Sequence, residues 1–201
     1  MTDTTVELNA ATIEVQDSGG SGPTVLFVHG LLVDGTLWRK VVTRLDGFRC
    51  VVPTLPLGSH RIPAVRRSPL AYGLLTKRPV PAEVLEGWVR PALRDRRVRG
   101  DVAYFTRHID KRLTLDAAAK LSAFERPVLL AWSSEDRFFK TAFAERLATV
   151  FPLSRLEAVA DAYTFLPEDQ PGVLADLSAG FAAGPSAGGA PAGAEAVTGA
   201  T

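Results

Sequence analysis

The chain has 201 residues, of which 46% are hydrophobic and 22% charged, with a formal net charge of +1. That balance suits one globular domain with a sizeable core and argues against general nucleic-acid binding, which draws on a strong positive field. A single cysteine, Cys50, excludes a disulfide framework and points to a reducing compartment.

The first ten residues, MTDTTVELNA, have neither a basic start nor an apolar stretch, and no run in the chain is long enough to span a bilayer. A soluble cytoplasmic protein without membrane contact is therefore expected. Residues 5–17 alternate apolar and polar at Val6 and Leu8 and again at Ile13 and Val15, which predicts an amino-terminal hairpin at a sheet edge. The following DSGGSGP reads as a flexible turn.

Val25, Leu26, Phe27 and Val28 are then apolar without alternation. This predicts a strand over 24–28, covered on both faces and placed mid-sheet, where each side chain contributes roughly 1.5–3 kcal/mol on burial. The run stops at His29-Gly30. Gly30 permits the sharp turn, and Asp34 or Thr36 can cap a helix over 36–45 whose Leu37, Val41 and Leu45 share a face. A turn at the carboxyl end of a central parallel strand is where open α/β sheets hold their ligands. The turn residues His29, Gly30, Leu31 and Leu32 are thus candidate ligand contacts, the N–H groups near Leu31 and Leu32 being suited to a developing oxyanion.

A second core strand is predicted at 48–53, parallel to the first through the intervening helix. Cys50 lies inside it, as expected of a buried, inert thiol. The Pro/Gly-rich loop TLPLGSHRIP follows and carries adjacent Ser59 and His60, whose side chains point apart in an extended loop. Over 64–112, prolines at 69, 79, 81 and 91 break the chain into short helices, including one near 82–94. Residues 61–112 hold 13 basic and 5 acidic residues, a local +8 against −7 elsewhere. A solvated helical face accounts for this, with a patch for anionic substrates or a partner as the alternative. His108 reads as structural.

A helix near 115–124, a third core strand at 127–132, a helix near 141–149, a strand at 154–159 and a helix near 171–181 complete the alternation of strand and helix. From Ala182 onward 18 of 20 residues are Ala, Gly, Pro, Ser or Thr, which predicts a disordered tail over 182–201. There is no HExxH, no cysteine pair and no Walker pattern, so no cofactor or metal is expected.

The segments TVLFVHGLLVDGTLW, RCVVPTLPLGS, RPVLLAWSSEDRFF and FLPEDQP, in this order, resemble the His-Gly turn, the next strand and loop, the acid-bearing strand and the final loop of the α/β-hydrolase family. The resemblance covers most of residues 8–181. It implies one domain over 1–181 with a mainly parallel sheet, helices on both faces, and a small helical lid over 64–112. It also implies hydrolysis of a small-molecule substrate of the ester, epoxide or haloalkane kind.

The family order is nucleophile, acid, histidine. Asp136, after PVLLAWSSE, matches the acid, with Glu135 second to it. Thr164 falls where the histidine should be, and threonine is no base near neutral pH. Residues 54–126 contain no apolar strand ending in a nucleophile elbow. The one literal Gly-x-Ser-x-Gly match, at 184–188, follows the acid and has no strand before it. Ser59 and His60 are the remaining nucleophile and base candidates. The abrupt junction near Arg61–Val65 reads as an internal excision of a helix, the elbow strand, its helix and another strand. Activity should then be weak or absent. The alternative is an inactive remnant that binds a small apolar ligand or a protein partner, and exposed sheet edges would favour self-association.

Overall fold

The computed structural model describes residues 1–7, 12–30, 33–55, 72–96, 100, 103–104, 107–108 and 110–184. Strands β1 (Thr2–Glu7) and β2 (Thr12–Asp17) form the expected antiparallel hairpin. Strand β2 pairs antiparallel with β4 (Arg49–Thr54), and β4 pairs parallel with β3 (Thr24–Leu26), as the intervening helix requires. The sheet order is β1-β2-β4-β3. Strands β5 (Val128–Ser133) and β6 (Ser154–Val159) form a second, parallel pair.

The fold class is the expected one of strands alternating with helices; among the described residues the strands fall in two groups, of which the first is mixed. Among the described residues, β3 has no partner on its outer side and β5 none on the side away from β6. Among the described residues β3 is therefore an edge, where a mid-sheet strand was expected. From its last residue onward the side chains alternate: Phe27 and His29 are buried, whereas Leu26 is 61% and Val28 54% exposed. One face has cover and the other has none, so four buried side chains become one. Strand β5 is likewise half-buried along Val128–Trp132, with only Ser133 at its end enclosed.

Behind β3 the chain turns through a 3-10 segment, Gly35–Trp38, into the short helix α1 (Arg39–Val42). The Asp34 carboxylate accepts from the Thr36 N–H at 2.8 Å and caps this start. The element is shorter than the 36–45 expected, but Leu37, Val41 and Leu45 are all buried. Gly35 packs so closely on β4 that a Cβ there would lie 3.0 Å from Val52 Cγ1. Gly22 is tighter still: a Cβ would meet the Gly47 carbonyl oxygen at 1.8 Å. Gly30, by contrast, has a φ outside the left-handed region and open space around it, so the turn does not depend on glycine there.

Helix α2 (Ala82–Arg94) matches its expected span. Its Trp88 and Val89 are buried with Val33, Leu37, Tyr72 and Val80 in one apolar cluster. Much of the remaining stretch expected as a lid lies outside the described residues. Helix α3 (Lys111–Lys120) starts earlier than the 115–124 expected and buries none of its side chains; its last turn continues as the 3-10 segment Leu121–Ala123. Helix α4 (Thr141–Val150) connects β5 to β6. After β6 come the single turn α5 (Leu166–Asp169) and helix α6 (Pro171–Ala182), which starts at a proline as expected.

Helix α6 joins the two halves. Ala175 is buried with Phe27, Val41, Leu45, Cys50 and Val52 of the first sheet and α1, while Leu174 and Leu177 pack on Val159, Ala162 and Leu166 of the second. The Cys50 thiol is buried, and desolvation pushes its pKa up, as an inert core cysteine requires. The segment expected as a tail is described only to Gly184. No helix among the described residues is long and apolar enough to cross a membrane.

Candidate functional site

Asp136 lies in the turn that leaves β5 and is 9% exposed. Its Oδ1 accepts from the N–H groups of Phe138 at 2.8 Å and Phe139 at 2.9 Å, so the side chain is fixed by its own turn. The third donor to Oδ1 is the Thr164 hydroxyl, at 3.0 Å. The two residues that the resemblance places as acid and histidine positions are thus in direct contact, with a hydroxyl standing where a ring N–H would be.

Glu135 faces away from this pair. Its carboxylate meets Lys77 Nζ at 2.5 Å and accepts from the Asp161 N–H at 2.8 Å, interactions that hold its pKa below the ordinary carboxylate value. Asp161 in turn takes Arg78 at 2.5 Å and Lys77 at 3.3 Å, and its pKa is lowered by the same two cations, Arg78 foremost. Lys77 is correspondingly raised, chiefly by Glu135. Tyr163 lies between cations, with Arg137 4.1 Å and Lys77 5.3 Å from its ring centre.

His29 is buried, and both ring nitrogens are used. Nε2 accepts from the Leu55 N–H at 2.8 Å, which leaves the proton on Nδ1 to be donated to the Gly30 carbonyl at 2.9 Å. The imidazole therefore ties the end of β3 to the end of β4 and has no ring donor left to offer a ligand. Leu31, Leu32, Ser59 and His60 lie outside the described residues.

The turn after β3 and the acid loop are linked through α2. Trp88 Nε1 donates to Asp34 Oδ1 at 3.0 Å and to Thr36 Oγ1 at 2.7 Å. The Trp88 ring meets Phe165 edge-on with centres 5.9 Å apart, and Phe165 adjoins Thr164. A continuous path of contacts thus runs from the turn after β3 to the loop that carries Thr164. Tyr72 packs on both aromatics, and burial, with the Asp34 charge second, pushes its pKa up to about 12.

The sequence reading missed two buried acids in FLPEDQP. Glu168 is 1% exposed and pairs with Arg39 and with Lys40, the latter at 2.8 Å, fastening α5 to α1. Asp169 is also buried and accepts from backbone N–H groups of Lys77, Arg78 and Tyr163, each at 2.9 Å. An acidic pair after a Leu-Pro turn was the available signal, but acids at a helix start are ordinarily explained by the helix dipole alone. Among the described residues, no group of three or more His, Cys, Asp or Glu is placed to hold a metal ion.

No protein-family model matches the chain. A 46-residue stretch, 22% of this chain, is 39% identical to a haloalkane dehalogenase of Mesorhizobium japonicum, of which it spans 15%. Among solved structures, the haloalkane dehalogenase DbeA from Bradyrhizobium elkani superimposes with a TM-score of 0.73 at 16% identity, covering 91% of this chain and 98% of that one. An ancestral haloalkane dehalogenase gives 0.71 at 18% identity over 90% and 98% of the two chains. A membrane phospholipase A described as a bacterial virulence factor gives 0.70 at 13% identity, over 91% and 86%. These likenesses, at such low identity, establish architecture: the chain has the α/β-hydrolase fold.

Proposed function

We propose that this chain is a hydrolase-fold protein whose action on small ester, epoxide or haloalkane-like substrates is weak or absent. The observation that carries the reading is the 3.0 Å contact between Thr164 Oγ1 and Asp136 Oδ1. An acid in a hydrolytic triad orients an imidazole and stabilises its charged form, and a threonine hydroxyl in its place can neither take nor return a proton near neutral pH. Asp136 then has a hydroxyl to hold and no base to serve. The His29 ring, spent on Leu55 and Gly30, has no donor left for an oxyanion role.

The same reading includes an internal deletion. The sides of β3 and β5 that have no partner among the described residues are where intervening parallel strands would fit. An inactive remnant that binds a small apolar ligand or a protein partner is the second reading, favoured by the exposure of Leu26 and Val28.

The test is turnover of p-nitrophenyl acetate, and halide release from a short bromoalkane, by the purified chain and by Asp136→Asn. Little turnover is expected, at most the roughly 10³–10⁴ over water that remains in enzymes stripped of their triads, and Asp136→Asn should barely change it. Robust turnover abolished by Asp136→Asn would refute the reading and send the search for a base to His60 and Ser59.

A further inference from the structure

The carboxylate of Asp169 sits at a junction of three backbone segments and serves none of the nearby cations. Its Oδ1 accepts from the N–H groups of Lys77 and Arg78, and its Oδ2 from those of Lys77 and Tyr163, all at 2.9 Å. Only 2% of the residue is exposed. Beside it the Phe165 N–H donates to the Leu75 carbonyl at 2.7 Å. Segments 75–78 and 163–165 are therefore bound to each other on both sides of Thr164, with the Asp169 carboxylate as the shared acceptor. The next link outward is the Thr164 hydroxyl on Asp136.

The cations form a separate outer layer. Lys77 Nζ and Arg78 reach past this junction to Glu135 and Asp161, and Gln170 Nε2 closes on Asp161 Oδ2 at 3.2 Å. Surface pairs of this kind contribute little each. A buried carboxylate accepting three backbone donors is stronger and more directional, because each N–H left without it would lose its bond out of reach of water.

We infer that Asp169 is the positioning residue of the Asp136–Thr164 pair, holding residue 164 within hydrogen-bond reach of the acid through the backbone of Tyr163. This rests on reading 136 and 164 as the acid and base positions. The geometry sets a sharp requirement, since Asp169 must accept on both oxygens. In Asp169→Asn one oxygen becomes an NH₂ group, so whichever way the amide turns, a donor faces a backbone donor, either at Tyr163 or at Lys77 and Arg78.

The test places a reporter in the pair. In Thr164→His the introduced imidazole would lie against the Asp136 carboxylate, and its titration, followed by NMR of the ring protons, should be raised about one unit or more above the ordinary value near 6.5. Asp136→Asn in that background should remove the rise. Asp169→Glu keeps the charge and displaces the acceptor by a methylene, so it should lower the midpoint by a large part of the same rise. Asp169→Asn should lower it more where Asp136 is present than where it is absent, because its direct charge effect is common to both backgrounds and cancels in the comparison. Circular dichroism confirms that each variant is folded, and Asp169→Glu serves if Asp169→Asn is not. A midpoint that responds to Asp136→Asn but not to a folded Asp169 variant overturns the inference alone. A midpoint indifferent to Asp136→Asn overturns the underlying reading, and the inference with it.

Discussion

Trp88 can be cut back in two steps that separate its packing from its polarity. It has no solvent exposure, and its ring centre lies 5.5 Å from that of Tyr72 and 5.9 Å from that of Phe165. Trp88→Ala empties that space, for which large aromatic truncations cost about 3–5 kcal/mol. Trp88→Phe keeps most of the apolar body and loses the Nε1 donor to Asp34 and Thr36. The loss of the donor is softened because Thr36 donates to Asp34 Oδ1 from both its hydroxyl, at 2.5 Å, and its N–H, at 2.8 Å, so that the carboxylate keeps two partners. One net hydrogen bond, about 1 kcal/mol, plus some lost ring area gives about 1–2 kcal/mol for the Phe variant. Domains of ordinary stability hold about 5–15 kcal/mol in total, so the Ala variant should lose a large share of its stability and the Phe variant a small one. Urea titration followed by far-ultraviolet circular dichroism gives both numbers. If Trp88→Phe cost as much as Trp88→Ala, or Trp88→Ala cost under about 1 kcal/mol, the picture of Trp88 as the post between the β3 turn and the Thr164 loop would be refuted.

Asp17 is held at about 2 against an ordinary 3.8, first by its hydrogen bond from Arg49 and then by the Gly19 N–H. A depressed folded-state value means that its stabilisation is present above 3.8 and lost as the pH falls through about 2, so Asp17→Asn should flatten the acid limb of the melting-temperature profile in that window. Glu168→Gln should cost about 3 kcal/mol in urea titrations, the low end for breaking a buried pair, because Arg39 and Lys40 are 27% and 31% exposed and can regain water. Leu26→Lys with Val28→Lys should raise the monomer fraction in sedimentation velocity, since the charges guard an unpaired edge; an unchanged distribution would place self-association elsewhere.

Local patterns were legible wherever a residue's environment is supplied by its own segment. Asp34 as a cap, the Leu37–Val41–Leu45 face, the parallel pairing of β3 with β4 and the spans of α2, β6 and α6 could all be read from spacing. What was lost depends on distant partners. The VLFV run of β3 has the composition of a doubly covered strand, and nothing in it records that Leu26 and Val28 face solvent. Helix α3 has an amphipathic pattern, yet none of its side chains is buried. At the site, the resemblance that singled out Asp136 and Thr164 named two residues 28 positions apart that the structure brings into contact. Glu168 and Asp169 were not readable, because their donors lie near residues 39 and 77, and a pairing that remote leaves no local periodicity.

Helix α6 has a consequence for how the chain is made. Val41, Cys50 and Val52 leave the ribosome early but receive their cover from Ala175, more than 120 residues later. At roughly 5–20 residues per second, the first sheet waits several seconds or more with that apolar surface uncovered. The second sheet emerges just before α6 and gains Leu174 and Leu177 almost at once. Nascent chains stalled before residue 170 should therefore be substrates for hydrophobic-patch chaperones at the amino-terminal half, and release of α6 should close both halves in a single step.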